Sequence, residues 1–354
     1  MSYQTNADIA VNIAREVTEG TAATATGAKV LRIIPSPGLK FKRGMIQSDE
    51  LREDGDRSQG RLGNKTVTGS YNCELSAGGA IDMLLESAMR STWGAAAVTT
   101  AASMTSLTFA TNTITAAAGN WTTQLVAIGD IVRISGSAVS ANHDLNTPVI
   151  GLSTLVITVP TGTYAVATTA ASASVTRLKK VYSATTPTKW SHTVEQVSQN
   201  IDASEYFTGC ALVGAKFSFR PNQMATVTWT FAGINRTTVT ATSSPYFTDP
   251  TTTTNLPLVA DDGVVRYNGS AVATFTGFDL DLVIDGGGVG VIGSTTTPSI
   301  FLNRRVISAS ITALRSDFSN LTLFDAETEF SASVLLQELE TAPKSCLHFF
   351  LPRV

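Results

Sequence analysis

The alternation of apolar and polar residues along short segments is the feature that most constrains the fold. In ATVTWTF, Val227, Trp229 and Phe231 fall on one face of an extended strand and the threonines fall on the other. The preceding segment, AKFSFRPNQM, alternates in the same way, and its Pro-Asn pair is typical of a turn. Residues 214–233 are therefore predicted to form a β-hairpin with one aromatic face.

Threonine, serine, valine and alanine dominate the rest of the chain, which favours a mainly β fold with short helical elements. One segment, SAGGAIDMLLESAMRSTW, instead predicts a helix. Its apolar residues recur at the spacing of one helix face: Ile81, Leu84, Leu85, Ala88 and Met89. Ser76 is predicted to cap this helix, and Glu86 is predicted to pair with Arg90 one turn later.

The length of 354 residues predicts two or three domains. Charge nearly vanishes over 94–180, where short strand-like runs predict a small inserted β-domain. Outside it, the order hairpin, long loop, strand, helix, strand occurs twice, which predicts a duplicated fold. The first domain would comprise 1–93 and 181–250, and the second 251–354. A chance similarity of strand order, common in β proteins, is the alternative.

Nothing in the sequence predicts a catalytic, cofactor-binding or metal site, so we expect no enzyme. The GxGxxG at 288–293 is followed by STTTPSIF, which cannot begin the helix that a dinucleotide site needs. The histidines and cysteines are scattered along the chain: His143, His192, His348, Cys73, Cys210 and Cys346. A net charge of −3 lacks the basic character of a nucleic-acid binder, and no apolar run is long enough to span a membrane. We therefore expect a soluble protein made in a reducing cytoplasm.

Three aspartates, Asp279, Asp281 and Asp285, alternate along one predicted strand. The segment lacks the glycine and terminal glutamate of a calcium-binding loop. These carboxylates are predicted to lie on a solvated or pore-facing strand.

The segment 46–65, IQSDELREDGDRSQGRLGNK, concentrates charge in a chain that is only 15% charged. Among its charged residues are Asp49, Glu50, Arg52, Glu53, Asp54, Asp56, Arg57 and Arg61. Ordering so long a loop costs conformational entropy, which docking on another subunit would offset. The loop is therefore predicted to contact a neighbouring subunit; a plain solvated loop is the alternative.

Three segments resemble tail tube proteins, or major tail proteins, of long-tailed, non-contractile bacteriophages of the siphophage type. The first runs from AREVTEGTAA through AKVLRIIPSPGLKFKRGMIQ to the helix that ends in STW. The second is EYFTGCALVGAKFSFRPNQMATVTWTFAGIN, and the third is TPSIFLNRRVISASITALRSDFSNLTLFDAETE. The resemblance covers 1–93 and 181–354, and 94–180 is similar to the variable β-insertions on the exterior of such tubes.

The resemblance implies a structural virion protein with a β-sandwich or barrel-forming tube domain and no cofactor. Its homo-oligomeric rings would stack into a tube whose lumen conducts DNA without specific binding. The favoured ring is a pseudo-hexamer of three chains, each with a duplicated fold; a hexamer of six chains, without duplication, is the alternative. The charged loop would be an inter-ring contact, the three aspartates would face the lumen, and MSYQTNADIA and LHFFLPRV would be terminal arms.

Further implied partners are the tail proteins at the tip and the terminator, with assembly in the cytoplasm of the bacterial host. The alternative function is a β-rich adhesin that uses the inserted domain to contact a host surface or carbohydrate. Asn120, Trp121 and Asn142 are the candidate residues for such a contact, although Trp121 also suits a core position.

Overall fold

The computed structural model describes residues 9–50, 53–56, 58–170, 172–272, 274–314, 325–338 and 345–353. The helix is α1 (Gly79–Met89). The strands up to the end of the inserted segment are β1 (Ile9–Arg15), β2 (Lys29–Leu31), β3 (Ile33–Ile46), β4 (Arg61–Glu74), β5 (Ala97–Thr100), β6 (Leu107–Phe109), β7 (Thr113–Ala116), β8 (Ile131–Ser135), β9 (Thr147–Pro148), β10 (Gly151–Leu152), β11 (Val156–Thr158), β12 (Ala167–Ala170) and β13 (Ser174–Arg177). The remaining strands are β14 (Ser191–Ser198), β15 (Ala203–Phe219), β16 (Thr226–Gly233), β17 (Asn235–Thr240), β18 (Val264–Tyr267), β19 (Ser270–Ala271), β20 (Phe275–Gly288), β21 (Ile300–Ala313), β22 (Ala332–Gln337) and β23 (Cys346–Leu351).

A ten-stranded sheet forms the body of the molecule, and the mainly β fold predicted from the sequence is confirmed. Its central strand is β15, whose 17 residues are long enough to pair with different strands along its two halves. On one edge it pairs with β16 and then β17, and on the other with β20 and then β14. Strands β4 and β3 extend the sheet beyond β16, while β21 extends it beyond β20.

The predicted hairpin at 214–233 is confirmed as β15 and β16, paired in antiparallel register. Val227, Trp229 and Phe231 are buried together with Phe217 of the facing strand. The rings of Phe217 and Trp229 meet edge to face with centroids 5.6 Å apart, a favourable geometry for two aromatic groups. The apolar face of the sheet is therefore its core face.

Helix α1 packs against this core face through the predicted apolar stripe, of which Ile81, Leu84, Leu85 and Ala88 are buried. The predicted cap is wrong: the N-cap is Gly78, with φ 89°, and Ser76 is buried before the helix begins. A positive φ suits glycine, which has no Cβ. The Gly78 amide donates instead to Asp82 Oδ1 at 3.1 Å.

The predicted Glu86–Arg90 pair is also wrong. Glu86 accepts from Arg15 Nη2 of β1 at 2.6 Å and from the Trp93 amide at 2.8 Å. Arg90 is the C-cap residue, in a left-handed conformation that ends the helix. Its side chain donates to the Asn303 carbonyl at 2.9 Å, so tertiary contacts replace the pair expected along the helix.

Residues 97–177 form two small sheets, ordered β10-β11-β7-β6-β12 and β5-β13-β8-β9. Their core, which includes Trp121, Phe109 and Ile134, is separate from the main core. The chain enters and leaves beside the antiparallel bridge between Gly94 and Lys180.

Residues 251–354 contribute to the same body as the N-terminal part of the chain. Strands β20 and β21 join the main sheet, and β19-β18-β22-β23 form a four-stranded sheet. Side chains of both groups, such as Leu280 and Val334, belong to the cluster that contains Trp229. The domain boundaries and the duplication stay predictions; the helical candidate NLTLFDAETE falls mainly outside the described residues. Within the described part of the chain, no helix has the length and apolar character to cross a membrane.

Candidate assembly surfaces

The face of the main sheet opposite α1 is polar, and we call it the polar face. Register places its side chains in rows across the strands: Lys216 lies between Thr228 and Asp281, and Asp281 lies opposite Ser308. Its polar members are Lys40, Lys42, Thr66, Thr68, Ser70, Asn72, Lys216, Ser218, Thr226, Thr228, Thr230, Asp279, Asp281, Asp285, Ser308 and Ser310, and the same face also exposes Val283 and Val306. Because strand side chains alternate between faces, burial of the aromatic residues on one face turns these residues away from the core.

The three predicted aspartates lie on β20 and point away from its buried apolar residues. Asp279 accepts from Arg220 Nη2 at 2.5 Å and from Ser218 Oγ at 2.8 Å. The bond to the Arg220 guanidinium lowers the pKa of Asp279, with partial burial acting in the opposite direction. Asp285 accepts from Asn303 Nδ2 at 3.2 Å. The charge of this face is mixed, since lysines lie among the carboxylates.

The predicted contact loop joins the distal ends of β3 and β4. Those strands continue past the main sheet, since β16 pairs with β4 only over residues 67–74. Of the predicted residues, Asp49, Glu50, Glu53, Asp54, Asp56 and Arg61 are exposed, whereas Arg52 and Arg57 lie outside the described residues. Their position at the end of a projecting hairpin makes them accessible to another molecule.

The loop between β20 and β21 lies beside this hairpin. The Lys65 amide donates to the Thr295 carbonyl at 2.8 Å. The GxGxxG occurs here: β20 ends at Gly288 and no helix follows before β21, so the loop expected from the sequence is confirmed. A Cβ at Gly290 would lie 1.9 Å from Asn64 Nδ2, so this glycine allows close packing of the two hairpins.

Glu19 fixes the other end of the same loop. It accepts from Lys189 Nζ at 2.6 Å, from Ser299 Oγ at 2.8 Å and from the Ile300 amide at 2.9 Å. Partial burial by itself would raise the pKa of Glu19, but these bonds outweigh it and the pKa is lowered. Nothing in the spacing of the sequence signals this contact, which spans about 280 residues.

Two long strands each have one edge without a strand partner, although the Leu39 carbonyl of β3 accepts from Gln196 Nε2 at 3.2 Å. Among the described residues, β3 pairs only with β4, and β21 pairs only with β20. Each strand has 14 residues, and β21 also exposes Phe301 and Val306. A long exposed edge is a template for pairing with another chain, and natural proteins rarely leave one uncovered.

The sequence model of the family described as "Phage tail tube protein" matches residues 6–342. The chain belongs to this family. No curated protein matches it. Membership makes the chain a structural component of a phage tail and gives no support to the adhesin alternative.

Two buried carboxylates of this tail tube protein were not recognisable from its sequence. Glu195 is fully buried and accepts from Ser204 Oγ at 2.7 Å and from the amides of Tyr246 and Phe247 at 2.6 and 3.2 Å. Glu16 accepts from the amides of Gly20 and Gly209 and from Thr193 Oγ1. Both carboxylates fasten peripheral loops to the main sheet, because buried polar groups require partners.

The residues considered for ligand contact on the inserted domain have structural roles. Trp121 is fully buried and its Nε1 donates to the Leu155 carbonyl at 3.1 Å. Asn142 is also buried, and it exchanges two hydrogen bonds with the backbone of Ala165. Asn120 accepts from the Thr122 amide at 2.9 Å. In the described part of the chain, no cluster of three or more His, Cys, Asp or Glu residues could hold a metal ion.

Proposed function

We propose that this protein builds the tube of a siphophage-type tail from stacked homo-oligomeric rings and that DNA passes through the lumen. The observation that carries the proposal is a sheet with one polar, uncovered face and an unpaired 14-residue strand at each side. Such a sheet resembles a segment of a larger barrel more than a closed domain.

The unpaired edges of β3 and β21 supply the contact within a ring. Pairing of β21 of one subunit with β3 of the next would continue the sheet around the ring and satisfy the main-chain groups of both edges. If 251–354 is a second tube domain, three chains would complete a pseudo-hexameric ring; otherwise six would.

The polar face would line the lumen, since the helix and the inserted segment lie on the other side of the sheet. Lys40, Lys42 and Lys216 on this face are balanced by Asp279, Asp281 and Asp285. A strongly basic lumen would hold phosphates through counterion release. A lumen of mixed charge, rich in threonine and serine, lets DNA pass without specific binding.

The contact loop within 46–65 would be the contact between rings. It stands at the end of the projecting β3–β4 hairpin, with its acidic residues exposed. The terminal segment 1–10 is proposed as an arm, of which only 9–10 are among the described residues. The predicted arm at 347–354 is corrected by the fold: residues 347–351 lie in β23, which pairs with β22, and Phe349 packs against Phe217. The tip and terminator proteins of the tail would bind the two ends of the tube, after assembly in the host cytoplasm.

Negative-stain electron microscopy of the purified protein tests this function. We expect rings or hollow tubes, and averaged end views will give three-fold or six-fold symmetry. Deleting residues 50–57 should leave a folded chain that forms rings without stacking them. Wild-type protein that remains monomeric at high concentration, even with tail tip proteins added, would contradict the proposal; normal tubes from the deletion would contradict only the role of the loop.

A further inference from the structure

A cleft of about 1080 Å³ lies on the core side of the sheet, between α1, the β20–β21 hairpin, β23 and the inserted domain. Its lining is mostly apolar and includes Met89, Trp93, Leu282, Ile307 and Phe349. Tyr182 lies at the cleft with 63% of its surface exposed. An apolar cleft of this size is unusual in a chain whose other aromatic side chains are mostly buried.

The distal end of the β3–β4 hairpin exposes apolar side chains that match the apolar lining of the cleft. Met45, Ile46 and Leu62 expose 65%, 63% and 61% of their surface, and we call these three residues the hairpin tip. They lie beyond the part of β4 that pairs with β16, so the main sheet does not cover them. The tip therefore presents apolar surface that a single chain leaves in water.

The tip and the cleft are separate surfaces of the subunit. Strand β4 begins at the tip with Arg61 and ends at Glu74, a distance of roughly 45 Å for 14 residues. Helix α1 begins just after that far end, and Ala77 and Gly78 there line the cleft. A contact between tip and cleft is consequently head to tail, the kind of contact that repeats without closing on itself.

The charges beside these surfaces are opposite in sign. The segment 47–61 at the tip has five carboxylates and three arginines, a net charge of −2. The cleft is lined by Arg133, Lys179, Lys180 and Asp82, a net charge of +2. Asp130, which binds Lys180 at 2.8 Å, reduces this to +1. Arg305 raises the net charge around the cleft again. Its guanidinium bonds to Ala88 and Ser183, and both of these residues line the cleft.

We propose that the cleft receives the hairpin tip of a second copy of this chain, with the acidic loop lying over the basic rim. This inference rests on the proposed function and adds to it the surface that binds the projecting hairpin. Burial of the tip in the apolar cleft would drive ring stacking, and the charges would set the orientation of the tip.

Three single variants test the contact. Leu62→Glu places a charge on the tip, and Tyr182→Glu places one in the cleft. Val98→Glu is the matched control, because Val98 is 62% exposed on the inserted domain and belongs to neither surface. Electron microscopy should show long tubes for the control and unstacked rings for the other two. An equal mixture of Leu62→Glu and Tyr182→Glu rings should give pairs of rings, since each pair combines one intact tip surface with one intact cleft.

Cross-linking between copies provides a second measurement that does not depend on long tubes. Chains with Leu62→Cys are mixed with chains carrying Tyr182→Cys or Val98→Cys and treated with a short bismaleimide. We expect dimers joining positions 62 and 182, identified by mass spectrometry of the linked peptides, and few joining 62 and 98.

Tubes from Tyr182→Glu as long as those of the wild type would overturn the inference, as would equal cross-linking to both partner positions. Cross-linking of Tyr182→Cys to a segment of another copy outside the hairpin tip would also overturn it. If wild-type tubes form while these tests fail, only the cleft inference is wrong; wild-type protein that forms no rings or tubes contradicts the proposed function itself.

Discussion

The Lys65 amide of β4 donates a hydrogen bond to the Thr295 carbonyl in the loop between β20 and β21, at 2.8 Å. This bond joins the distal parts of two hairpins that are separated by about 230 residues in sequence. Lys65 Nζ also donates to Asn235 Oδ1 at 3.0 Å, which adds β17 to the junction. The projecting hairpin is therefore braced along one side before it reaches its exposed tip.

Removal of this brace should loosen the hairpin locally. Replacing residues 290–296 with a two-residue Asn-Gly turn deletes the Thr295 acceptor, so the Lys65 amide should exchange with deuterium faster while the Trp229 amide remains protected. Gly287→Ala is the control, because no atom lies within 4 Å of its added Cβ. Unchanged protection of Lys65 after the loop replacement would show that the brace contributes nothing.

Gly69 allows β4 to approach β3 closely. A Cβ at this position would lie 2.1 Å from the Gly38 carbonyl oxygen and 2.8 Å from Leu39 Cα, and backbone atoms cannot move aside cheaply. Gly69→Ala should therefore lower the free energy of unfolding by about 1–3 kcal/mol. Urea denaturation measures this, with Gly287→Ala as the control because no atom lies within 4 Å of its added Cβ. Equal stability of the two variants would contradict the prediction.

Glu195 holds the segment around Tyr246 and Phe247 on the sheet. Glu195→Ala leaves their amides and the Ser204 hydroxyl without an acceptor in a buried site, so we expect a loss of about 3 kcal/mol or more. Hydrogen exchange at residues 246–247 should accelerate more than exchange in β16. Glu205→Ala is the control, since this carboxylate on the neighbouring strand pairs with partly exposed Arg236. A loss of the same small size in both variants would refute the role of Glu195.

His192 makes the stability of the body depend on pH. Complete burial lowers its pKa from 6.5 to about 4, aided by the nearby Arg15 cation and opposed by the hydrogen bond to the Cys210 carbonyl. The folded state therefore binds a proton less readily than the unfolded state. The contribution of His192 to the free energy of unfolding is complete above pH 6.5. As the pH falls toward 4, this contribution is lost, by about 3 kcal/mol in all.

The pH prediction is checked by urea denaturation at pH 7 and pH 4.5. His192→Gln should lose less stability than the wild type between these two values. His348, whose pKa burial also lowers to about 4, acts in the same range, so His348→Gln should show a similar effect and the double variant a larger one. Equal losses for the wild type and both variants would exclude the histidines as the cause.

Much of the secondary structure could be predicted because apolar side chains recur at a different interval in a strand than in a helix. The alternation in ATVTWTF predicted β16 and its buried face, since period two places every second residue on the same side. The apolar stripe from Ile81 to Met89 predicted α1 for the corresponding reason. The aspartates of β20 were predicted to share a strand face, and they do.

Contacts between distant segments could not be predicted in this way. Ser76 had the chemistry of a helix cap, but two glycines turn the chain and start the helix three residues later. Glu86 and Arg90 had the spacing of an ion pair, but Arg15 and Asn303 offered partners from other strands.

The sequence by itself determined the mainly β class, the long hairpins, the absence of recognisable catalytic motifs and the resemblance to tail tube proteins. These properties depend on local periodicity, composition and short motifs. Only the tertiary structure decided that β20 and β21 share one sheet with β4 and β16, and that an apolar cleft remains beside α1. Strand pairing and the shape of a cavity depend on which distant segments meet, and no local pattern encodes that choice.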